Sequence, residues 1–313
     1  MAEHAAAAAR ENGHAQFPPI VVNRASAGSR LPLRVTVLNA KGGAHLEEIA
    51  ARLARPPLAD TDLLLLCEAG WRSRRSARRE VARELADRLG MSFAFGPVWS
   101  MPGRREGSIG SSIGNAILSS QPLEDVRVVP MRRYWRADFA RIPGAPNGVI
   151  ATVRFGGIPI TICIAHLESR ASPQFRAEQM RSIAEAIPPT GAAIIGGDFN
   201  TTTIELGGRR IPIPIVRALL MRRGRRCWPQ KYEPLFKILE RCGFAFDDAN
   251  VPGIPTFTFS RMIPPFVRPK LDWLGVRGLA VVKGSATVVP ARGSFFAPRF
   301  SDHDFITCQV RQS

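Results

Sequence analysis

The chain has 313 residues and an ordinary hydrophobic content of 45%, enough to bury the core of one large domain or of two small ones. Its formal net charge of +17 favours a polyanionic partner, although a solvated arginine-rich surface explains this charge equally well. Five widely spaced cysteines without a C-x-x-C pair argue against a disulfide scaffold and against a zinc site.

The first predicted segment is a flexible N-terminal tail. Residues 1–30 mix alanine, glycine and polar residues and have no apolar core of signal-peptide length. No run in the chain approaches the ~18 apolar residues that a membrane span needs. We therefore expect a cytoplasmic protein whose fold begins near residue 31.

Strand and helix patterns alternate after the tail. Leu33–Leu38 alternates and is rich in β-branched residues, so it predicts a first strand that ends at Asn39. Apolar residues at helical spacing over 44–56 predict a helix, and the apolar run Leu63–Cys67 predicts a second, buried strand. An arginine-rich amphipathic pattern over 71–89 predicts a second helix.

The middle of the chain is dominated by strand patterns. Strands are predicted over 93–98, 114–118, 126–129, 148–155 and 158–165. A helix over 173–186 then leads to the buried strand Ala192–Ile195, which two glycines follow. Residues two apart in an extended chain share a face, so Asp198 and Asn200 are expected to point into one pocket.

The last third of the chain begins with a basic, irregular stretch at about 205–231, which predicts a surface insertion. A helix over 232–241 follows, and closing strands are predicted over 255–259, 271–276, 280–289 and 305–310. Neither an internal repeat nor a linker divides residues 31–313. The sequence therefore predicts one domain.

Polar residues stand at or beside the ends of the predicted strands. They are Asn39, Glu68, His166, Asp198, Asn200, Asp272, Asp302 and His303. A strand-terminal Asp or Asn alone usually makes a turn, and a lone histidine is usually a satisfied structural group. Because a sheet or sandwich brings strand ends together on one rim, the whole set indicates a functional site.

The chemistry of this set suits a divalent cation. Carboxylate and amide oxygens without a cysteine cluster are typical ligands of Mg²⁺, with Mn²⁺ as an alternative. A histidine beside an aspartate can stabilise a phosphoryl oxygen, while another carboxylate orients the attacking water. The pattern therefore indicates metal-assisted hydrolysis of a phosphate ester.

Short motifs also follow one another in a recognisable order across residues 33–310. They are Asn39 after the first strand, Leu66-Cys67-Glu68, Gly114-Asn115-Ala116, Ala165-His166-Leu167-Glu168, Arg176 with Gln179, Gly197-Asp198-Phe199-Asn200, Pro255-Thr256-Phe257, Leu271-Asp272-Trp273 and Ser301-Asp302-His303. Each motif alone is weak evidence, whereas the ordered set is strong. In this order they resemble the endonuclease/exonuclease/phosphatase superfamily, also called the deoxyribonuclease-I-like fold.

The resemblance implies an α/β (α+β) fold, a four-layered α/β sandwich of two packed mixed β-sheets flanked by helices. It also implies metal-dependent cleavage of a phosphodiester or phosphomonoester. The implied metal ligands are Glu68, assisted by Asn39 and Asp302, and the implied substrate-binding residues are Asn115 and Arg176. The implied catalytic residues are Asp198 for the water, Asn200 and His166 for the phosphoryl group, and His303 oriented by Asp272 for the transition state.

Two departures from the family pattern limit the resemblance. Members that cut abasic DNA are similar to one another in having a tyrosine where this chain has His166, so that repair role is disfavoured. An arginine often precedes the strand at 149–153, whereas this chain has Asn147-Gly148 there. The basic insertion at about 205–231 matches no motif of the family.

The leading prediction is a Mg²⁺-dependent phosphodiesterase, in particular a nuclease acting on DNA or RNA, since the basic charge suits a polyanionic substrate. The first alternative is a lipid or phosphoinositide phosphodiesterase or phosphatase, with the insertion on an anionic membrane surface. The second is a catalytically inactive nucleic-acid-binding module, which the retention of Glu68, Asp198 and His303 disfavours. We expect a monomer.

Overall fold

A computed structural model describes residues 17–26, 28, 31–103, 109–133, 144–201, 203–206, 209–212, 233–258, 268–293 and 297–313. The strands are β1 (Ile20–Val22), β2 (Leu33–Asn39), β3 (Leu63–Trp71), β4 (Ser92–Pro102), β5 (Ile109–Ser119), β6 (Glu124–Pro130), β7 (Asn147–Phe155), β8 (Ile158–Ala165), β9 (Ala192–Asp198), β10 (Thr203–Leu206), β11 (Arg209–Pro212), β12 (Asp272–Arg277), β13 (Ala280–Val281), β14 (Thr287–Val289) and β15 (Phe305–Arg311). The α-helices are α1 (Leu46–Leu53), α2 (Val81–Leu89), α3 (Pro173–Ala186) and α4 (Pro234–Arg241). Of these described helices, none combines the length and the apolar character that crossing a bilayer requires.

The strands form two mixed sheets and a separate hairpin. The larger sheet has the order β1-β4-β5-β3-β2-β15-β13, and β14 also pairs with β15. The smaller sheet has the order β12-β9-β8-β7-β6, and β10 pairs with β11. Parallel pairing occurs between β2 and β3 and between β8 and β9, while the other pairs are antiparallel.

The two sheets pack face to face, and helices cover their outer faces. Val37 and Leu65 of the larger sheet share one buried cluster with Ile194 of the smaller sheet. Helices α1 and α2 cover the outside of the larger sheet, for example through Leu85, and α3 and α4 cover the smaller sheet, for example through Ile183. Because both faces of each sheet are apolar, each face needs a covering layer. The predicted four-layered α/β sandwich is therefore confirmed.

Part of the predicted N-terminal tail belongs to the fold. Ile20–Val22 forms β1 and pairs with β4 at the edge of the larger sheet, with Ile20 opposite Phe95. The prediction of a flexible tail over residues 1–30 is therefore wrong for this segment. The prediction rested on the composition of the whole region, which is poor in β-branched residues. It overlooked Ile20-Val21-Val22, three consecutive β-branched residues that suit an edge strand.

The helix predicted over 71–89 is shorter than its sequence pattern. Strand β3 continues to Trp71, and α2 begins only at Val81. Between them Ser73 Oγ accepts a hydrogen bond from Ser76 N at 3.1 Å, and Ser76 Oγ donates to Arg79 O at 2.9 Å. Such local bonds offer the backbone an alternative to the helix, which explains why the arginine-rich start of the pattern is a loop.

The closing strands also differ from the prediction. Within the described positions 255–258 no strand forms, and Phe257 makes an isolated bridge with His303. The segment 280–289 splits into β13 and β14. At the start of the predicted insertion, β10 and β11 form a hairpin. Its remaining positions up to 231 lie outside the described residues.

The topology brings the predicted functional residues to one rim of the sandwich. Parallel pairing of β2 with β3 places Asn39 and Glu68 at the same end of the larger sheet. Parallel pairing of β8 with β9 does the same for His166 and Asp198, and antiparallel pairing of β12 with β9 sets Asp272 directly opposite Asp198. The rim is thus a consequence of strand direction.

Replacing Gly197 with alanine is expected to destabilise the rim. Its φ is +141°, and an added Cβ would lie 2.0 Å from Ala165 O, so the substitution forces β8 and β9 apart. We expect Gly197→Ala to lower the free energy of unfolding by about 2 kcal/mol or more, measured by urea denaturation. Gly293→Ala is the control because its nearest neighbour would be 3.9 Å away. Equal stability of the two variants would contradict the prediction.

Candidate active site

A pocket of about 880 Å³ opens at this rim between the two sheets. The predicted residues that line it are Glu68, Asn115, His166, Asp198, Asn200, Asp302 and His303. Asn39 and Asp272 lie directly behind this lining and bond to it. Side chains from distant parts of the chain therefore converge on one pocket.

Glu68 is turned toward the pocket by an irregularity in β3. The pairing of β3 with β5 shifts register between Leu66 and Ala69, and Glu68 has a φ of +51° inside that shift. A bulge of this kind re-aims a side chain. Asn39 Nδ2 donates to Glu68 Oε1 at 3.1 Å and also to Asp198 Oδ2 at 3.0 Å. One amide therefore fixes the spacing of two carboxylates from different sheets.

Asp198 is a buried acid of the pocket floor. Asn200 N donates to Asp198 Oδ1 at 3.0 Å, while the Asn200 side chain donates to Leu167 O at 2.8 Å. Burial raises the pKa of the Asp198 carboxyl, although His303 and His166 nearby oppose this rise. A carboxylate with a raised pKa is a better proton acceptor than an exposed one.

His303 and Asp272 form a buried pair at the end of β12. His303 Nδ1 lies 2.9 Å from Asp272 Oδ2, and Asp272 N is itself bonded to Thr256 Oγ1 at 3.0 Å. The Phe257 ring packs edge-on against the imidazole, with centroids 4.9 Å apart. Burial alone lowers the pKa of His303, but Asp272 and Asp198 outweigh it and raise this pKa to about 10. The imidazolium, a donor at both nitrogens, is therefore the form at neutral pH.

Both histidines face one oxygen of the buried aspartate. His166 Nε2 lies 3.5 Å from Asp198 Oδ2, and His303 Nε2 lies 3.6 Å from the same atom. These distances are too long for good hydrogen bonds. They leave the Nε2 atoms of both histidines close to Asp198 without a strong hydrogen bond to it, so an anionic group in the pocket can contact both Nε2 atoms.

Two groups of side chains could contact a cation. Asp198, Asp272 and His303 offer ligand atoms within 4.8 Å of one another, but the hydrogen bond between Asp272 and His303 already accounts for that spacing. Glu68 and Asp302 instead have side chains 28% and 29% exposed at the pocket. We therefore regard Glu68 and Asp302, with Asn39, as the better oxygen ligand set.

Two basic side chains now neutralise those carboxylates. Lys41 Nζ lies 3.2 Å from Asp302 Oδ2, and Arg75 Nη1 lies 3.8 Å from Glu68 Oε2. The side chains of Lys41 and Arg75 are 52% and 63% exposed, so both can turn into solvent when a metal ion replaces them. The donor set therefore fits a hard divalent cation.

Asn115 lines the pocket, and its side chain has a fixed direction. Its Nδ2 donates to Asn147 O at 2.8 Å, and Asn147 Nδ2 donates to Pro97 O at 2.7 Å. The Asn115 Oδ1 atom is buried and has no hydrogen-bond partner among the residues that the structure describes. The residue that stands where the family often has an arginine, Asn147, is thus a support for Asn115.

The position of Arg176 does not support the substrate-binding role predicted for it. Its side chain is completely buried and forms an ion pair with Glu233, which is also completely buried, at the start of α4. Its Nη1 donates to Ala171 O at 2.8 Å. Arg176 therefore joins α3 to α4 in the interior and does not line the pocket.

Sequence reasoning missed several residues near the site. Arg74, Arg75 and Trp99 line the pocket although no motif contains them. Lys270 is buried two residues before Asp272, and within the described part of the chain its Nζ has no hydrogen-bond partner. Burial lowers the pKa of Lys270 to about 8, while Asp272 opposes the change. Arg74 and Arg75 lie in the amphipathic pattern over 71–89, which predicts a helix, and Trp99 and Lys270 lie just outside the predicted strands, so no pattern indicated their place near the site.

A layered α/β sandwich with an acidic, histidine-containing pocket at one rim is the architecture of a hydrolase-type enzyme. The model of the Endonuclease/Exonuclease/phosphatase family matches residues 37–303, and the chain belongs to this family. The predicted resemblance is thereby confirmed.

Solved structures share the fold at low sequence identity. An endonuclease/exonuclease/phosphatase from Beutenbergia cavernae DSM 12333 is 20% identical, with a TM-score of 0.63 over 91% of this chain and 72% of that chain. D. rerio TDP2 complexed with a single-strand DNA product is 15% identical, with a TM-score of 0.57 over 90% and 100%. The human Nocturnin catalytic domain with bound sulfate is 17% identical, with a TM-score of 0.59 over 94% and 96%. No curated protein matches the sequence.

Breaking the buried ion pair of Arg176 is expected to destabilise the protein strongly. Glu233→Ala leaves the guanidinium buried without its carboxylate, so we expect a loss of about 3–5 kcal/mol in the free energy of unfolding. The double variant Arg176→Met, Glu233→Leu removes both charges and should recover most of this loss. Urea denaturation measures both variants. A double variant as unstable as Glu233→Ala would contradict this account.

Proposed function

We propose that the protein is a Mg²⁺-dependent phosphodiesterase that acts on nucleic acid. The observation that carries the proposal is the convergence of His166 and His303 on one oxygen of Asp198, on the floor of a pocket that Glu68 and Asp302 also line. A buried acid, a cationic histidine and a cation-binding carboxylate pair are the groups that phosphate-ester hydrolysis needs.

Asp198 is proposed to orient the attacking water and accept its proton. Asn39 and Asn200 fix the carboxylate from both sides, at 3.0 Å each, so its free lone pairs point in one direction. Its raised pKa makes it a stronger base than an exposed carboxylate. A water held by Asp198 would lie beside the histidines, where the phosphoryl group is expected.

His303 is proposed to stabilise the negative charge that develops on the phosphoryl oxygens. Its Nδ1 is held by Asp272, which leaves Nε2 as a fixed donor toward the pocket. Preorganised donors of this kind act without reorganisation during the reaction. His166 and the Asn200 amide are proposed to contact the same phosphoryl group, since both line the pocket next to Asp198.

Glu68, Asn39 and Asp302 are proposed to hold the metal ion. Their oxygen-only donor set suits Mg²⁺, and Mn²⁺ is the alternative. When bound, the ion polarises the phosphoryl oxygen and offsets charge on the leaving group. The chain's own contribution is to keep Glu68 at a fixed distance from Asp198 through the shared Asn39 amide.

Nucleic acid is preferred over a lipid substrate for two reasons. The formal charge of +17 suits a polyanion. The pocket is also lined by Trp99 as well as by Arg74 and Arg170, so a base and a phosphate can be accommodated together. A substrate panel of single- and double-stranded DNA, RNA, sphingomyelin and inositol phosphates, each with and without EDTA, decides between the classes. Preferential hydrolysis of a lipid would replace the proposal by that alternative.

Substitution of the floor residues should abolish catalysis while the fold is retained. We expect Asp198→Asn and His303→Ala each to lower kcat for bis-p-nitrophenyl phosphate by about 10²-fold or more, since each removes a group needed in the transition state. Asp272→Asn should have a smaller effect because it acts through His303. Steady-state kinetics with purified variants give the comparison.

His45→Ala is the matched control, because this half-exposed histidine contacts Glu48 at the start of α1 and does not line the pocket. Its kcat should equal that of the wild type. Full activity in Asp198→Asn, or an inactive but correctly folded His45→Ala, would overturn the assigned roles.

Metal binding should be detectable without turnover. A cation held by Glu68 and Asp302 binds the folded state only, so Mg²⁺ at about 100 times its Kd should stabilise the wild type by about 2.7 kcal/mol. Thermal unfolding with Mg²⁺ and with EDTA measures this shift. Glu68→Gln should abolish it, whereas Glu124→Gln, on the exposed strand β6, should keep it. Unchanged hydrolysis in EDTA would refute metal dependence.

A further inference from the structure

The loop between β3 and α2, residues 72–79, carries five arginines and lies at the mouth of the active-site pocket. We call it the arginine loop. Arg74 and Arg75 line the pocket, and the side chain of Arg75 is 63% exposed, with Nη1 3.8 Å from Glu68 Oε2. The arginine loop therefore presents cations directly beside the carboxylate proposed to hold the metal.

The backbone of the arginine loop is held in one conformation. Ser73 and Ser76 are buried, and their hydroxyls lie 3.0 Å apart. The loop packs so closely on Gly70 that an added Cβ there would lie 2.9 Å from Ser73 Oγ and from Ser76 Cβ. Ala77 and Arg78 have φ of +50° and +62°. Strained backbone persists only where the surroundings impose it, and it is concentrated at functional sites.

The charges of the arginine loop are divided between two sides. On the helix side, Arg72 pairs with Glu80 at 2.6 Å, and Arg79 pairs with Glu84. On the pocket side, no carboxylate in the described part of the chain pairs with Arg74. Glu80 and Glu84 thus hold one half of the loop, whereas on the pocket side, among the described residues, Arg74 has no such acid and Arg75 faces only Glu68, at 3.8 Å.

An aromatic side chain lines the same pocket. Trp99 is half-buried, and Arg133 lies over its ring at 4.8 Å from the centroid. Cations that follow a phosphate backbone, combined with a ring on which a base can stack, are the features of single-strand nucleic-acid binding. A lipid headgroup would use the cations but not the ring.

We propose that Arg74 and Arg75 bind the phosphate next to the scissile one, which makes a single strand with at least two consecutive phosphates the preferred substrate. This inference rests on the proposed function. The scissile phosphate lies at Asp198 and His303, and the arginine loop contacts the neighbouring phosphate. Arg74 and Arg75 are thus specificity-determining residues, and they leave the chemistry to the pocket floor.

Trinucleotides with one neutral linkage test this directly. In d(TpTpT), replacing either phosphodiester by a methylphosphonate leaves one cleavable bond and removes the charge of its neighbour. We compare kcat/KM for the two isomers and for the unmodified trinucleotide. The enzymes are the wild type and the double variant Arg74→Ala, Arg75→Ala, and bis-p-nitrophenyl phosphate is the single-phosphate reference. Arg78→Ala is the matched control, because Arg78 is on the same loop but does not line the pocket.

For the wild type we expect one isomer to lose about tenfold in kcat/KM, as charged hydrogen bonds to one phosphate would predict. The double variant should lose a similar factor in kcat/KM on the unmodified trinucleotide. It should lose no further factor on the sensitive isomer, because the methylphosphonate and the double substitution remove the same interaction. Arg78→Ala should behave as the wild type. In an Asp198→Asn background, we measure the slope of log K against log salt concentration for a labelled oligonucleotide. Its magnitude should fall by about 0.7 for each lost phosphate contact.

Two outcomes would overturn the inference and leave the proposed function intact. One is that the methylphosphonate and the double substitution lower kcat/KM additively. The other is that the double variant keeps the wild-type ratio of trinucleotide to bis-p-nitrophenyl phosphate rates. Loss of binding to phosphatidylserine vesicles with unchanged trinucleotide rates would also overturn it and assign the loop to a membrane surface. Failure of the wild type to hydrolyse bis-p-nitrophenyl phosphate would instead refute the proposed function. An Arg74→Lys, Arg75→Lys variant, which keeps the charge, should retain part of the selectivity and separates charge from loop folding.

Discussion

The site depends on one bridge between the two sheets. Asn39 belongs to the larger sheet and Asp198 to the smaller one, and the amide of Asn39 bonds to Asp198 and to Glu68 at once. The buried thiol of Cys67 strengthens this bridge, since it accepts a hydrogen bond from Asp198 N at 3.4 Å and lies 3.7 Å from Ala165 O. The geometry of the pocket is therefore set by the packing of the whole sandwich, and a shift of either sheet would separate its groups.

Desolvation then gives the floor its chemistry. Asp198, Asp272 and His303 are all buried, so their charges interact in a medium that screens them weakly. Burial makes the carboxyl of Asp198 less acidic, whereas the two carboxylates keep His303 protonated despite its burial. The acceptor Asp198 Oδ2 and the donor His303 Nε2 thus lie 3.6 Å apart, and the proton stays on the histidine. If the same side chains were exposed, water would screen their charges and their pKa values would stay near the ordinary ones.

Much of the sandwich and most of the floor could be predicted from the sequence, because strands have a two-residue period and end where their polar residues begin. The motifs placed Asp198 and His303 in one site although more than a hundred residues separate them. Two kinds of feature could not be predicted. The partner of Arg176 lies 57 residues away and leaves no local pattern. The arginine loop has a helical composition, and the local hydrogen bonds of the buried Ser73 and Ser76 favour a loop over the helix.

The bulge at Glu68 has a consequence for the evolution of the protein. Its left-handed φ of +51° costs about 1 kcal/mol for any residue with a side chain of this size, whereas glycine or asparagine would adopt it more readily. Selection for stability alone would therefore favour replacement of Glu68 by glycine or asparagine. If the site works as proposed, only selection for turnover keeps the glutamate, and the chain exchanges a small part of its thermodynamic reserve for reactivity.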